Sequence, residues 1–188
     1  MTCLFFVRHA QPDVNWQEDR TRPLTHIGLE DSKKVTAALE DYKIDFFYSS
    51  PYKRSIDTIL DCANKFNMII HTDERFRERK TGKNSFQFLE KRWQDFSFCE
   101  EDGESLACVQ QRNIEALAEI LNKHTNENIV IGTHGTALST ILHYYDPTFG
   151  FEGFKRIWFS MPYIIKLDFD GDKLKKSTEL LKIDRGYS

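Results

Sequence analysis

Two uninterrupted apolar runs constrain what this chain can fold into, because each is short and neither alternates with polar residues. They are Cys-Leu-Phe-Phe-Val at residues 3–7 and Ile-Val-Ile at residues 129–131. Such runs are typical of strands that are buried on both faces of a sheet. Helical patterns separate these strands from others along most of the chain. The alternation predicts an α/β fold of three layers, α/β/α, with a mostly parallel, doubly wound sheet.

The remaining elements follow from periodicity and capping residues. Strands are predicted over residues 3–7, 45–48, 68–71 and 128–133, and a C-terminal antiparallel hairpin begins with residues 163–169 and turns at Asp170-Gly171. Helices are predicted over about residues 26–41, 51–63, 104–123 and 135–144, with Thr25 and Ser50 as caps and Pro51 at the first position of the second helix. We expect a single domain, residues 1–188, with a lid or insert around residues 76–103.

Composition and charge exclude several classes of function. Lysine and arginine number 26 against 29 aspartate and glutamate, a net charge of -3, so no overall positive field attracts nucleic acid or an anionic membrane. The chain lacks an apolar run of the roughly 20 residues that a membrane span needs, and its N-terminal residues do not show the basic-then-apolar pattern expected of a secretory signal. Four scattered cysteines without a CxxC pair predict reduced thiols and a cytoplasmic protein. Neither a metal nor another cofactor is expected.

Cationic side chains gather where the predicted strands end. Arg8 and His9 follow the first strand, His134 follows the strand at 128–133, and Arg54 lies in the first turn of the second helix. The carboxyl ends of the strands form the ligand-binding edge of an open α/β sheet, so these four side chains are expected to meet. Two helices that begin there also direct backbone N–H groups to this edge. The arrangement predicts a phosphate ligand.

These residue types suit phosphoryl transfer without a metal. A phosphoryl group in transfer spreads charge over three equatorial oxygens, which arginine guanidinium groups can bind. A neutral imidazole can attack the phosphorus and hold the group until water arrives, and a second imidazole, if protonated, can donate to an equatorial oxygen. Flanking arginines disfavour protonation of the nucleophile. A carboxylic acid is still needed to protonate the leaving alkoxide.

A series of short motifs runs through nearly the whole chain. The series is Arg8-His9-Ala10, Asn15, Leu24 to Gly28 (LTHIG), Ser50 to Arg54 (SPYKR) followed by Thr58, Arg77-Glu78, Gly103 to Ser105 (GES) and Thr133-His134-Gly135. In this order and at these strand ends the motifs resemble the histidine phosphatase superfamily, also called the phosphoglycerate mutase-like family. The sequence departs from the family pattern after Glu78, where the usual turn is missing from residues 79–86.

The resemblance implies a role for each of the matching residues. His9 would be the phosphohistidine nucleophile, and Arg8, Arg54 and His134, with Gly135, would form the phosphate pocket. Glu78 would be the proton donor. Because the turn after it is absent, Glu74 remains the alternative. Asn15 would be a secondary phosphate or substrate contact, or merely a turn former.

The resemblance leaves the reaction and the substrate open. Phosphoglycerate mutases of this family are usually longer, with an added insertion near the lid and a C-terminal tail, so we expect a phosphatase that transfers the group to water. A mutase is the first alternative, and a non-catalytic module that recognises phosphate is the second. The substrate is expected to be a small phosphorylated molecule or a phosphopeptide. A basic cluster, Arg75, Arg77, Arg79, Lys80 and Lys83, indicates either a polyanionic substrate or a solvated loop.

Overall fold

Six strands form one sheet in the computed structural model of the chain, which describes residues 1–185. The strands are β1 (Thr2–Arg8), β2 (Phe46–Ser49), β3 (Ile70–Thr72), β4 (Asn128–Thr133), β5 (Ser160–Asp170) and β6 (Lys173–Asp184). Their order across the sheet is β3-β2-β4-β1-β5-β6. The end of the C-terminal tail, residues 186–188, lies outside the described residues.

The first four strands are parallel, and the last two are not. β1 pairs with β4 and β2 with both β4 and β3 in parallel, whereas β5 runs antiparallel to β1 and to β6. The hairpin of β5 and β6 is longer than predicted, and it turns through Gly171, whose φ of 61° suits a residue without a side chain. The predicted α/β class with a mostly parallel sheet and a C-terminal hairpin is confirmed.

Helices cover both faces of this sheet. They are α1 (His26–Leu39), α2 (Lys53–Lys65), α3 (Leu89–Gln94), α4 (Leu106–Lys123), α5 (Gly135–Tyr145) and α6 (Phe151–Ile157). Alternate residues of β1 point to opposite layers: Leu4 and Phe6 pack in one hydrophobic core cluster, and Phe5 and Val7 pack in the other. Over residues 1–185 there is no helix with the length and apolar character that crossing a membrane requires.

The start of α2 differs from the prediction. Ser50 and Pro51 were expected to open this helix, but its N-cap is Tyr52 and its first residue is Lys53. The reason is that the Ser50 backbone N–H donates to the carbonyl of Gly132 at 2.9 Å, which holds Ser50 in the extended path of β2. Thr25 does cap α1 as predicted, with its hydroxyl accepting from the N–H of Gly28 at 3.0 Å.

The 76–103 segment carries little regular structure. It contains α3 and the 3₁₀ turn Ser85–Phe88, and a second 3₁₀ turn, Glu74–Phe76, leads into it. Two backbone hydrogen bonds close it into a loop, one from Lys83 N to the carbonyl of Glu101 at 2.9 Å and one from Glu104 N to that of Lys80 at 3.0 Å. α6 was not predicted, because its seven residues include a glycine and are too few for a clear period.

Candidate active site

The ends of β1 and β4 bring the two predicted site histidines together. Arg8 and Thr133 are paired in the sheet, and the His9 N–H donates to the carbonyl of Thr133 at 3.1 Å. His9 and His134 each follow one of these paired residues. Their ring centroids lie 5.3 Å apart with planes inclined by 63°. Both rings are buried.

The His9 ring is held in one tautomer. Its Nδ1 lies 2.8 Å from the carbonyl oxygen of Ala10, and since a carbonyl only accepts, Nδ1 carries the proton. Burial, and then the charges of Arg54 and Arg8, keep the His9 pKa well below 6.5. The neutral ring therefore presents the lone pair of Nε2. Sequence reasoning attributed this neutrality to the arginines, but burial is the larger cause.

The His134 ring is also neutral, whereas a protonated donor was one expectation for this position. Burial, and then the charges near it, of which Arg54 is the largest, hold its pKa well below 6.5. Nε2 lies 2.7 Å from the Ser50 hydroxyl, whose oxygen also accepts from the N–H of Tyr52 at 3.2 Å. The buried Nδ1 has no hydrogen-bond partner in the described structure. When the Ser50 hydroxyl donates to Nε2, Nδ1 becomes a neutral N–H donor.

Arg54 is fixed from two sides. Its Nη1 donates to the carbonyl oxygen of Asp19 at 2.6 Å and lies 3.1 Å from that residue's carboxylate, and its guanidinium lies 5.0 Å from the Tyr52 ring centroid. The Thr58 hydroxyl donates to the Arg54 carbonyl at 2.7 Å and accepts from the N–H of Ala10 at 2.9 Å. This hydroxyl thus joins the first turns of α2 to the residue after His9.

Arg8 packs against the start of α5. Its Nη1 donates to the carbonyl oxygen of Ile157, which ties the end of β1 to α6. A Cβ added at Gly135 would lie 3.0 Å from Arg8 Cζ, so a side chain there would displace the guanidinium. The predicted role of Gly135 beside the phosphate pocket is consistent with this close approach.

The Glu78 carboxylate lies at the N-terminus of α5. Oε2 accepts from Thr136 N at 3.1 Å, and Oε1 accepts from Ala137 N at 3.2 Å and Arg79 N at 2.8 Å. Helix N-terminal N–H groups were predicted to attract a phosphate, but at α5 two of them bind this carboxylate. At α2 the first N–H, that of Lys53, donates to the carbonyl of Arg20. These backbone N–H groups are therefore engaged within the protein rather than open to an anion.

The structure separates Glu78 from the alternative acid, Glu74. The Glu74 side chain is 59% exposed and pairs with Arg20, and the hydrogen bond from Arg20 is the main cause of its lowered pKa. Glu74 does not line the cavity that Glu78 lines. Asn15 is exposed in the loop between β1 and α1, where its N–H donates to Asp13 Oδ1 at 3.0 Å in the manner of a turn former.

A cavity of about 170 Å³ adjoins these groups. Arg8, Glu78, Gly135 and Thr136 line one side of it. The rest of its wall is Arg79, Thr81, Ser85, Phe86, Leu89, Arg92, Phe154 and Trp158, most of it from the 76–103 segment and α6. Sequence reasoning missed the four apolar residues of this wall, because no local pattern marks them.

Most of the predicted basic cluster is already paired with carboxylates. Arg75 binds Asp73 and Glu119, Arg77 binds Glu104, Arg79 binds Glu100, and Lys83 binds Glu101. The Arg79 pair is buried, and Arg92 donates to the second oxygen of the same Glu100 carboxylate at 3.2 Å. These contacts favour a structural role for the cluster over recruitment of a polyanionic substrate.

Within residues 1–185, no three or more His, Cys, Asp or Glu side chains are grouped so that they could hold a metal ion.

Three further residues that contact the site, Ser50, Tyr52 and Asp19, were not predicted to do so from the sequence. Ser50 and Tyr52 lie inside the SPYKR motif, so the motif was a signal for them. No signal pointed to Asp19.

Two imidazoles and two arginines at the carboxyl edge of an α/β sheet, beside a carboxyl group, define a phosphoryl-transfer enzyme. The chain belongs to the histidine phosphatase superfamily (branch 1), whose family model matches residues 4–179. The resemblance drawn from the motifs is confirmed. The protein is thus an enzyme of the phosphatase or phosphoglycerate mutase type.

Several known proteins are similar to it. Phosphoserine phosphatase 1 of Hydrogenobacter thermophilus is 30% identical over 150 residues, which cover 71% of each chain. Phosphoglycerate mutase-like protein 4 of Arabidopsis thaliana is 28% identical over 89% of this chain and 80% of its own. The structure of phosphoserine phosphatase from Entamoeba histolytica in complex with 3-phosphoglyceric acid superposes with a TM-score of 0.79 at 20% identity, covering 97% of this chain and 98% of that one. This last likeness shows the shared fold.

Proposed function

We propose that this protein hydrolyses small phosphomonoesters through a phosphohistidine formed on His9, without a metal. The observation that carries the proposal is the state of that ring. It is buried and neutral, and the hydrogen bond from Nδ1 to Ala10 directs the free lone pair to Nε2. A neutral imidazole oriented in this way is the nucleophile that the first step needs.

Hydrolysis then takes two steps. In the first, His9 Nε2 bonds to phosphorus, the ester P–O bond breaks, and its electron pair leaves with the alcohol oxygen, which takes a proton from protonated Glu78. In the second, the Glu78 carboxylate accepts a proton from water, the water oxygen bonds to phosphorus, and the P–N bond breaks. Arg8, Arg54 and the Nδ1–H of His134 bind the equatorial oxygens in both steps.

Hydrolysis is favoured over mutase transfer by the ion pairs of the 76–103 segment. Retaining a bisphosphate requires cations for a second phosphate, whereas Arg77, Arg79 and Lys83 are each engaged by a carboxylate. We propose that this segment serves as the lid of a single domain, since seven of the cavity-lining residues belong to it: Glu78, Arg79, Thr81, Ser85, Phe86, Leu89 and Arg92.

Trapping the intermediate tests the proposal. Brief incubation with a ³²P-labelled monoester and denaturation at alkaline pH should leave base-stable, acid-labile label on the wild type and none on His9→Ala. His26→Ala, which removes an exposed histidine, is the matched control and should be labelled normally. Label that persists in His9→Ala, or that resists acid in the wild type, contradicts the assignment. Turnover should also survive EDTA.

A further inference from the structure

The cavity beside Glu78 is the place for the part of the substrate that leaves. In an in-line displacement the leaving oxygen lies opposite the attacking atom, and the group that protonates it must reach that oxygen. Glu78 is proposed to do so, and it lines the cavity together with Arg8. If Glu78 has that role, the alcohol portion of the substrate extends from Glu78 into this cavity.

Four of the eight residues on the far wall of the cavity are apolar, and they form a continuous patch. Phe86 is contributed by the 3₁₀ turn at Ser85–Phe88 and Leu89 by the start of α3, and Phe154 and Trp158 come from α6 and its C-terminal end. The rings of Phe86 and Trp158 lie 6.4 Å apart between centroids with planes inclined by only 30°, and Trp158 lies 4.8 Å from Phe154. Three aromatic rings from two separate parts of the chain thus form one surface.

The exposure of the Phe86 ring to water is unfavourable in free energy. The residue is 77% exposed, although a phenylalanine side chain gains roughly 1.5–3 kcal/mol when it is buried. A single exposed ring on a protein surface needs no explanation, but an exposed ring that continues an apolar wall beside a reactive group does. A bound ring would remove this surface from water.

Arg79 and Arg92, which also line the cavity, are not available to bind a charged group of the substrate. Arg79 donates to the Glu104 carbonyl, the Ser85 hydroxyl and the Glu100 carboxylate, each at 2.7 or 2.8 Å. Arg92 donates to the Ser85 carbonyl at 2.9 Å and to the other Glu100 oxygen at 3.2 Å. Both guanidinium groups therefore fix the wall of the cavity, with their charge offset in part by a buried carboxylate.

We propose that this cavity binds one aromatic ring on the leaving alcohol, so that the preferred substrates are phosphomonoesters of arylmethyl alcohols. A closed apolar cavity of about 150 Å³ holds a benzene ring, so the volume of about 170 Å³ here is large enough for one ring, which would lie against the aromatic patch. A methylene between ring and oxygen gives an alkoxide leaving group, which needs the proton from Glu78. The assignment of the leaving group rests on the proposed hydrolytic function.

Comparing benzyl phosphate with ethyl phosphate tests the ring subsite, because the two leaving alcohols are of similar acidity. Burial of one ring predicts a kcat/KM for benzyl phosphate about tenfold to a hundredfold higher. Phe86→Ala should bring the ratio of the two kcat/KM values toward one, and Trp158→Ala should do so where the variant folds. Tyr144→Ala, which removes another exposed ring, outside the cavity, should leave the ratio unchanged.

Binding measurements separate this proposal from the proposed function. Isothermal titration calorimetry with benzylphosphonate and ethylphosphonate, which cannot be hydrolysed as esters, reports the ring preference without turnover. Tighter binding of benzylphosphonate that Phe86→Ala abolishes supports the subsite even if no ester is hydrolysed, in which case only the hydrolytic function fails. Equal affinities overturn the subsite. So does a preference for O-phosphoserine over benzyl phosphate that Phe86→Ala leaves intact, which would instead assign the cavity to a carboxylate.

Discussion

The carboxylate of Glu78 accepts a hydrogen bond from the backbone N–H of Thr136, two residues after His134. The proposed proton donor and the second histidine are therefore both fixed by the start of α5, although 56 positions separate Glu78 from His134 in the sequence. This shared support means that substituting Glu78 can disturb geometry as well as proton transfer. A test of its role must separate the two effects.

Glu78→Gln should cripple the hydrolysis of an alkyl phosphate and spare that of p-nitrophenyl phosphate. A general acid contributes roughly 10²–10⁴ in rate, and only a poor leaving group needs it. Measuring kcat for both substrates on one variant cancels any disturbance of α5 that affects them equally. Glu74→Gln, which replaces an exposed carboxylate outside the cavity, is the control and should change neither rate. Equal losses on both substrates would assign Glu78 to geometry alone.

The protonation state of the His9 ring can be observed directly. Since burial and the neighbouring arginines hold its pKa well below 6.5, the ring should stay neutral, with the proton on Nδ1, as the pH falls from about 7.5 to about 6. Two-dimensional NMR of the imidazole nitrogens measures both properties, and His9→Asn identifies the resonances. A His9 ring that takes up a proton above pH 6.5, or one protonated on Nε2, contradicts the proposed nucleophile.

Stability should fall in two separate pH windows. His9 and His134 have lowered pKa values in the folded state, so below about pH 6.5 the unfolded chain binds protons that the folded chain does not. The free energy of unfolding then decreases by up to about 1.4 kcal/mol per pH unit for each histidine. Urea unfolding of the wild type and of the double variant His9→Asn, His134→Asn measures this slope. It should be shallower in the double variant.

The second window belongs to the half-buried carboxylate of Glu104, which is paired with arginines. Burial raises the pKa of Glu104, but hydrogen bonds from Arg112 and Arg77 outweigh it and lower the pKa to about 2. The stability that these contacts supply is present above the ordinary glutamate pKa and is lost as the pH falls from about 4.5 toward 2. A free energy of unfolding that falls evenly with pH across both windows would contradict the assignment of one window to the histidines and the other to Glu104.

Arg54→Ala should lower kcat by about 10²–10³, because removal of one preorganised donor costs about that much. The side chain is buried and held by Asp19, so its charge is fixed where the phosphoryl oxygens are proposed to lie. Lys53→Ala is the matched control, since it removes the adjacent, half-exposed cation, which pairs with Asp57. Near-normal turnover of a folded Arg54→Ala, judged by circular dichroism, would remove Arg54 from the proposed pocket.

The sequence predicted the features that depend on local patterns of residues. The apolar runs predicted β1 and β4, and strand ends predicted that Arg8, His9 and His134 would meet, because parallel strands bring their carboxyl ends to one edge. It could not place Phe86 beside Trp158, since that contact joins residues far apart in the chain. It also did not predict the hydrogen bonds from the α5 N–H groups to Glu78, because they depend on the tertiary position of the 76–103 segment.

The buried carboxylate of Glu100 should be the most sensitive point of the 76–103 segment. It binds both Arg79 and Arg92, and although burial raises its pKa, the hydrogen bond from Arg79 and those from backbone groups lower it to about 2. Glu100→Gln leaves two buried guanidinium groups without their shared anion. Removing one partner of a buried ion pair lowers the free energy of unfolding by about 3–5 kcal/mol, and we expect a loss of that size here.

Glu101→Gln is the matched control, because the adjacent Glu101 is exposed and its pair with Lys83 is worth at most about 1 kcal/mol. Urea unfolding compares the two variants, and hydrogen exchange shows whether the loss is confined to residues 76–103 or is global. Because Arg79 and Arg92 also form the cavity wall, Glu100→Gln should lower kcat/KM for benzyl phosphate more than for ethyl phosphate. If both variants unfold at the wild-type urea concentration, the buried network does not hold this segment in place.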